Sequence, residues 1–565
     1  MFRCLLRSQT LCTSFRKCST TSLACDAAAV SRPKHTIRGL FTARRILTAS
    51  SLGLGVYAAA TVRSVDDARL LWLIPTRLAR DVWTAAATVA DYQLSLPPSL
   101  KGAEREEALH GCHSRGAQRL LSLAFSNGGV YVKIGQHIAQ LDHLLPMEYV
   151  STMRDHLLDK CPASSYADVQ RMIFEDFGKT PEQLFAYFNP VPIASASLAQ
   201  VHVAVDHSGR QLAVKVQHSG LRESSHADIQ TVVILVKMVK WLYPDFNYEW
   251  LADEVKDNLP KELNFIHEAG NAERCRRNLT SPRSHIKQGR VHIPKIYHEL
   301  VSSRILTMEF MDGSSVTDLQ GLQQRGINPQ ELAKLVSETF NEMIFTFGDV
   351  HCDPHAANLL ARTDKNGQLQ LVLLDHGLYR QISDEFRHEY AGLWRALVFG
   401  DAAGIQQHAQ AMNAGELYKL FSAILTQKSW DEVTDQRADH LAVQATDENR
   451  EFAQSYAAAH TREISDLLVR IPRPLLLLFK TNDCLRAVDK CLGANVNTFV
   501  ITARACSRSL SEQRQIERPG LRSRFRGVAD SFMMEFRIML LQLAVSLASK
   551  RQLVPGVNGG SQYAV

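Results

Sequence analysis

No Cys-x-x-Cys pair and no His/Cys ligand spacing occurs in this chain, although it carries 11 cysteines. Cys4, Cys12, Cys18 and Cys25 lie near the start and the rest are far apart, so no structural zinc site is indicated and a disulfide scaffold is not expected. Reduced, mostly buried thiols are expected. Acid is nearly missing from residues 1–63, where Arg3, Arg7, Arg16, Lys17, Arg32, Lys34, Arg38, Arg44, Arg45 and Arg63 face Asp26 alone. That segment carries about +9 of a net +6, leaving about −3 for the remainder. The basic balance therefore belongs to the leader, and nucleic acid is not an expected partner. A sustained apolar run is also missing before residue 46. An Arg- and Ser/Thr-rich, acid-poor leader without such a run predicts a mitochondrial presequence over 1–45 rather than a secretory signal.

The 565 residues exceed one ordinary core, while 45% hydrophobic and 22% charged residues are the composition of a globular protein with extensions. Ile46 to Val62 is apolar, follows Arg44-Arg45 and contains Ser50, Ser51, Gly53 and Gly55, so a membrane helix is expected over 46–63. A helical extension is expected over 64–185, with Leu121 to Leu145 as one helix weakened at Gly128-Gly129 and ended by Pro146. Residues 186–311 alternate strand and helix as a small lobe, and 312–500 are mostly helical as a large lobe, including a helix over Asp384 to Phe399. Within 501–565, Arg504 to Arg526 reads as an Arg- and Ser-rich loop, and Phe532 to Leu547 as a helix for the domain or a membrane surface.

The most informative stretch is Val350-His351-Cys352-Asp353-Pro354-His355-Ala356-Ala357-Asn358, followed by Leu373-Leu374-Asp375-His376-Gly377. Phosphoryl transfer in protein-kinase-like folds uses this set. Asp353 would orient the acceptor, Asn358 and Asp375 would hold Mg²⁺, and Gly377 would let the backbone turn under the metal. Upstream, Leu212-Ala213-Val214-Lys215-Val216 reads as an alternating strand whose Lys215 would reach the phosphates of ATP or ADP. The preceding stretch, Pro192 to Val203, stands where a Gly-rich phosphate loop would be, yet holds no Gly. Small side chains at Ala194, Ser195, Ala196 and Ser197, between Ile193 and Val201, still admit backbone N–H groups to phosphates, in a stiffer loop. Thr307 to Gly313 reads as a strand ending in a turn, with Glu309 and Met311 offering backbone groups to adenine. Two further absences bear on the substrate. Cys352 stands where many protein kinases place the Arg that reads a phosphorylated loop, and no Ala-Pro-Glu follows Asp375. Both disfavour protein substrates.

Taken in order, Val130-x-x-Lys133-Ile134-Gly135-Gln136, the Ala-rich loop, Lys215, Glu262 with Glu268, and Asp375-His376-Gly377 resemble the UbiB family of atypical kinases, also called aarF-domain-containing kinases. The resemblance covers roughly residues 100 to 500. It implies an α+β, two-lobed protein-kinase-like fold with a helical N-terminal extension packed over the active site. Lys133 and Gln136, which with Gln140 share one helix face by spacing, would point into the nucleotide pocket and favour a small or lipid-like acceptor, or an ATPase cycle. Glu268, on a helix expected over Asp253 to Arg274, would pair with Lys215. The resemblance also implies a place in mitochondrial lipid, coenzyme Q or membrane homeostasis, with inner-membrane lipids or mitochondrial proteins as partners. The chain departs from the family at Asn264, where an Asp is usual, and at Ala356-Ala357, where Pro-Gly is usual; loss of that Gly removes a φ > 0 option, which would shift Asn358 if the turn needs it. These departures favour the alternative, a nucleotide-binding pseudokinase scaffold. An aminoglycoside-phosphotransferase-like small-molecule kinase shares the Asp/Asn pair, but Lys133-x-Gly-Gln speaks against it.

Overall fold

The computed structural model describes residues 65–97, 99–139, 146–157, 163–242, 249–434, 471–493 and 496–517, with single positions at 463, 467, 470, 532, 535, 536 and 539. The expected presequence, the expected membrane helix, Gln140 and most of 532–547 lie outside them. Among the described residues no helix is long and apolar enough to cross a membrane. The chain divides into two compact units, residues 1–135 with 220–252, and residues 136–219 with 253–565.

The first unit is helical, built from Val65–Ser95, Gly102–Asn127, the start of Gly129–Ile138, and Leu221–Leu242. The single helix expected over Leu121 to Leu145 is two. Gly128 and Gly129 take φ of 65° and 47°, a left-handed conformation that ends one helix and re-aims the next. A Cβ at Gly129 would come within 2.5 Å of Leu221 Cδ1, so the break is also a close approach of helices. Polar side chains tie this unit from inside. Arg77 is ion-paired with Asp228 and donates to the Asn127 carbonyl, while Asp81 accepts from Tyr131 Oη at 2.6 Å and Asn127 Nδ2 at 3.1 Å. Burial raises the carboxyls of both Asp81 and Asp228 above their ordinary value.

The second unit holds the strands, β1 (Tyr187–Phe188), β2 (Ala194–Ser195), β3 (Ala199–Val205), β4 (Gln211–Gln217), β5 (Val291–His292), β6 (Ile296–Val301), β7 (Ile305–Glu309), β8 (Ser314–Ser315), β9 (Asp349–His351), β10 (Leu359–Thr363), β11 (Leu369–Leu373) and β12 (Tyr379–Gln381). One sheet runs β1-β3-β4-β7-β6 with β2 on β3, a second runs β5-β11-β10-β8, and β9 pairs with β12. β4 is central in the first sheet, and its alternation separates two cores. Leu212, Val214 and Val216 pack with Val169, Met172 and Ile173 of the Tyr166–Phe177 helix. Ala213 joins the core of Phe265, Leu306 and Met308. Lys215 shares the face of Ala213, two residues on.

Two expectations are corrected here. The helix expected over Asp253 to Arg274 is two helices, Glu249–Glu262 and Phe265–Thr280, because Asn264 turns out of the helix and caps the second by accepting from Ile266 N at 3.1 Å. The segment from Arg504, expected as a loop, continues the Thr498–Glu517 helix. Val500, Ala503 and Cys506 of this helix are buried, with Val500 and Ala503 against Val398 of the Asp384–Phe399 helix.

The raised Asp81 carboxyl carries a pH consequence. As pH rises past its ordinary 3.8, the unfolded chain loses the proton first and the folded chain keeps it, so the stability cost of this group grows up to its folded value and stays at its full size above it. Asp81→Asn is therefore expected to gain thermal midpoint relative to the parent between pH 4 and pH 6. An equal difference at both pH values would contradict it.

Candidate active site

Lys215 lies between two carboxylates. Its Nζ donates to Glu268 Oε1 at 2.8 Å and Oε2 at 3.0 Å, and to Asp375 Oδ2 at 2.8 Å. The ammonium also sits 5.2 Å from the centre of the Phe265 ring. Burial alone would lower the Lys215 pKa, but the charges of Asp375 and Glu268 outweigh it and hold the group up, protonated. Burial pushes the Glu268 carboxyl up to about 7, against the pull of Lys215 and with the push of Asp375. With Glu268 ionised, the triad holds one cation and two carboxylates, one negative charge in excess. That imbalance, with oxygen donors at hand, is the chemistry a hard divalent cation takes.

Each partner is delivered by a fixed element. Asn264 caps the helix that bears Glu268, so the family's departure at this position keeps a capping oxygen. The same helix is tied to the Asp375 turn by Asn271 Nδ2, which donates to the His376 carbonyl at 2.9 Å. Arg274 Nε donates to Asp349 Oδ2 at 2.7 Å, and Asn278 Nδ2 to the same oxygen at 3.2 Å. Asp375 Oδ1 accepts from Gly377 N at 2.8 Å. Gly377 does not take a positive φ. What it supplies is room, since a Cβ there would meet Asp375 Oδ1 at 3.2 Å. His376 turns its ring inward, facing the Leu373 carbonyl at 3.2 Å through Nε2 and Tyr379 Oη at 2.9 Å through Nδ1. Those partners fit a neutral ring that donates from Nε2, and burial lowers its pKa accordingly.

Asp353 and Asn358 come from the loop after β9. Asp353 N donates to His351 Nδ1 at 3.3 Å, and the buried His351 ring stacks on Tyr379 with centroids 5.1 Å apart. Asn358 ends a 3-10 turn, Ala356–Asn358, and its Nδ2 donates to the Asp353 carbonyl at 3.3 Å. Leu374 N donates to the Asn358 carbonyl at 3.0 Å, and Leu359 pairs with Leu373, so Asn358 and Asp375 stand side by side at the open end of the β10–β11 hairpin. Neither Ala356 nor Ala357 takes a positive φ, so the turn asks for no glycine.

The Ala-rich stretch is a hairpin. Ala194 pairs with Val201 and Ser195 with Gln200, Ile193 N donates to Val201 O at 2.8 Å, and Ala196 N closes the turn on Ala199 O at 2.8 Å. Ser197 is buried and donates to Gln136 Oε1 at 3.0 Å, while Gln136 Nε2 donates to the Leu157 carbonyl at 2.9 Å. Gln136 is thus joined to the loop. Lys133 falls in the other unit. Sequence reasoning missed His218, whose N donates to Leu198 O at 3.0 Å and whose Nε2 meets Ala196 O at 2.8 Å, pinning both flanks of the turn. At the expected hinge, Glu309 ends β7 with its carboxylate turned to His292 Nε2 at 2.9 Å and Lys295 N at 3.1 Å, and Met311 is buried. Also missed was Lys480 of the Arg473–Cys491 helix, whose Nζ is 3.1 Å from Asp353 Oδ1. No spacing signal could have joined residues so far apart.

Among the described residues no group of three or more His, Cys, Asp or Glu is placed to hold a metal. Magnesium does not require one, because it keeps waters and phosphate oxygens and takes one or two protein oxygens.

A family model described as the ABC1 atypical kinase-like domain matches residues 156–409. The chain is 44% identical over 527 residues to an ABC1 protein of Arabidopsis thaliana, covering 90% of this chain and 98% of that one. It is 40% identical over 481 residues to the AarF domain-containing protein kinase 1 of Mus musculus, covering 84% and 89%. Among solved structures it is similar to that of Rv3197 with erythromycin from Mycobacterium tuberculosis, at 19% identity and a TM-score of 0.46, covering 70% of this chain and 97% of that one. The expected α+β kinase-like fold is the fold of this chain.

Two glycine exchanges separate the turns. Ala357→Gly is expected to leave nucleotide binding within about twofold, since no φ there needs relief. Gly377→Ala is expected to weaken it about tenfold by pushing Asp375 from its place. The reverse order in titrations with Mg-ATP would overturn this account of both turns.

Proposed function

The chain belongs to the ABC1/AarF family of atypical kinases, and from that premise we propose that it binds ATP with Mg²⁺ and transfers the γ-phosphoryl group to a small or lipid-like acceptor, or to water, at a mitochondrial membrane. The observation that carries this reading is Lys215 held 2.8 Å from both Glu268 and Asp375. Lys215 neutralises the α- and β-phosphates, with Glu268 keeping it aimed. Asn358 and Asp375 supply oxygen ligands to Mg²⁺, which when bound offsets charge on the transferring phosphates. Ile193 to Ser197, with Val201, cover the phosphates, and Glu309 and Met311 hold adenine through their backbone. Gln136 keeps the cover closed through Ser197, and Lys133 is assigned to the same pocket by its match to the family motif.

The acceptor oxygen forms its bond to the γ-phosphorus as the bond to the bridging oxygen breaks, its electron pair leaving with ADP. Asp353 orients the acceptor hydroxyl and takes its proton. Little covalent chemistry falls to the protein, so positioning and charge placement supply the rate. Only β12 and a short turn separate Gly377 from the Asp384–Phe399 helix, which leaves no long segment on which a peptide would dock. This supports a small or lipid-like acceptor.

The setting we propose is the inner membrane, with lipid, coenzyme Q or membrane homeostasis as the process served and mitochondrial lipids or proteins as partners. The acid-poor leader supports it. A fluorescent fusion lacking residues 1–45 is expected to lose mitochondrial import, and its retention there would remove that support.

Phosphoryl transfer is tested by ATP turnover in the full chain, with and without anionic liposomes. Asp353→Asn is expected to lower turnover by about 10²-fold or more with nucleotide affinity within about threefold, and Asp375→Asn to remove the Mg²⁺ dependence of binding. Nucleotide binding without turnover, indifferent to Asp353, would point instead to a pseudokinase scaffold.

A further inference from the structure

The loop that presents Asp353 contains no cation. From Val350 to Asn358 there is neither Lys nor Arg, and Cys352, fully buried, fills the position before Asp353. His355 does not take that part, because its Nδ1 accepts from Ala357 N at 3.5 Å and caps the 3-10 turn. A carboxylate placed beside a transferring phosphoryl group without a cation would repel it.

The cation comes from elsewhere. Lys480 Nζ lies 3.1 Å from Asp353 Oδ1, with only 9% of its side chain exposed. A buried ammonium is held only where an anion meets it. The helix that bears it has little freedom. Arg473 pairs with Asp253 at 3.0 Å and Asp257 at 3.1 Å, Asn482 Nδ2 donates to Tyr390 Oη at 3.1 Å, and Arg486 donates to the Leu425 carbonyl. Leu477, Leu478 and Cys484 are buried on either side of Lys480. Its backbone is therefore fixed next to the catalytic loop, and its stem is packed rather than waving in solvent.

We propose that Lys480 is a catalytic residue of the transfer site, a cation supplied by the Arg473–Cys491 helix that holds the Asp353 carboxylate and faces the γ-phosphate. The inference rests on the phosphoryl-transfer reading above. Lys480 meets Asp353 before nucleotide enters and shares its charge with the γ-phosphate once it is bound. Since ADP lacks that group, Lys480 distinguishes ATP from ADP.

The test compares Lys480→Gln and Lys480→Arg with the parent, all as full chains with unchanged thermal midpoints, by Mg-ATP and Mg-ADP titration and by ATP turnover. Lys480→Gln is expected to weaken ATP binding about tenfold while ADP affinity stays within about twofold, and to lower kcat by about 10²-fold. Lys480→Arg is expected to restore most of the preference for ATP, since it keeps the charge. Equal weakening of both nucleotides, or no change in either, would overturn the proposal and leave Lys480 a structural ion pair. The ATP/ADP comparison needs no turnover, so a chain that binds ATP but never hydrolyses it still decides the matter. A chain that binds neither nucleotide overturns the phosphoryl-transfer reading itself, and the role of Lys480 with it, which a shift confined to Lys480→Gln does not.

Discussion

One ammonium between two carboxylates sets the terms for the rest of this site. Lys215 is buried, so it remains charged only because Glu268 and Asp375 face it, and each of them is tolerable in that place only because Lys215 faces back. Removing Lys215 leaves two carboxylates facing each other without a cation, whereas removing either carboxylate leaves a single ion pair. The three residues lie on a strand, a helix and a turn that are distant in sequence, and the triad therefore fixes the relation of all three. Around it the protein spends neutral hydrogen bonds rather than further charge. Asn264 caps the Glu268 helix and Asn271 binds the His376 carbonyl. Arg274 with Asp349 is the exception, a second ion pair that anchors the helix one turn further on.

Backbone shape explains two substitutions that look disabling on paper. Glycine is needed where φ is positive or where a Cβ would collide. Ala356 and Ala357 meet neither condition, so the 3-10 turn presents Asn358 without glycine. Gly348 meets both: its φ is 63°, and a Cβ there would stand 3.1 Å from the Ile382 carbonyl. It ends the π-helical turn Glu342–Phe347 and lets the chain enter β9, from which Asp353 is delivered. The glycine on which the catalytic loop depends is thus upstream of the motif.

What was legible in the sequence followed from local chemistry at fixed spacing. Asp353, Asn358 and Asp375 lie within one loop-and-hairpin unit, and β4 shows itself by its apolar residues, so Lys215 could be placed on a strand. The Phe265–Thr280 helix was legible as helix but not its start, because Asn264 was weighed as a lost acid and not as a cap. The Thr498–Glu517 helix was misread because its Arg and Ser residues dominate the composition. The small buried set Val500, Ala503 and Cys506 carries the helical period and gives a weaker signal. His218 and Lys480 were invisible for a different reason. Each acts through a contact that tertiary structure alone creates, and neither sits at a spacing that chemistry demands.

The charges around the reaction centre are arranged so that no single segment supplies both signs. Glu268, Asp353 and Asp375 bring three negative charges, and Lys215 and Lys480 bring two positive ones. One excess negative charge on groups this far withdrawn from water, with Glu268 and Lys480 nearly covered, is costly to leave alone. A divalent cation would turn that excess into one positive charge, which is the sign needed to draw in a polyphosphate. On the proposed function, such a site would take magnesium before nucleotide or together with it. Because Lys480 comes from the helix that begins at Arg473, the charge balance is complete only when the C-terminal part of the chain has folded onto the catalytic loop. The balance at the transfer site is thus a property of the whole second unit, not of the motifs by which it is recognised.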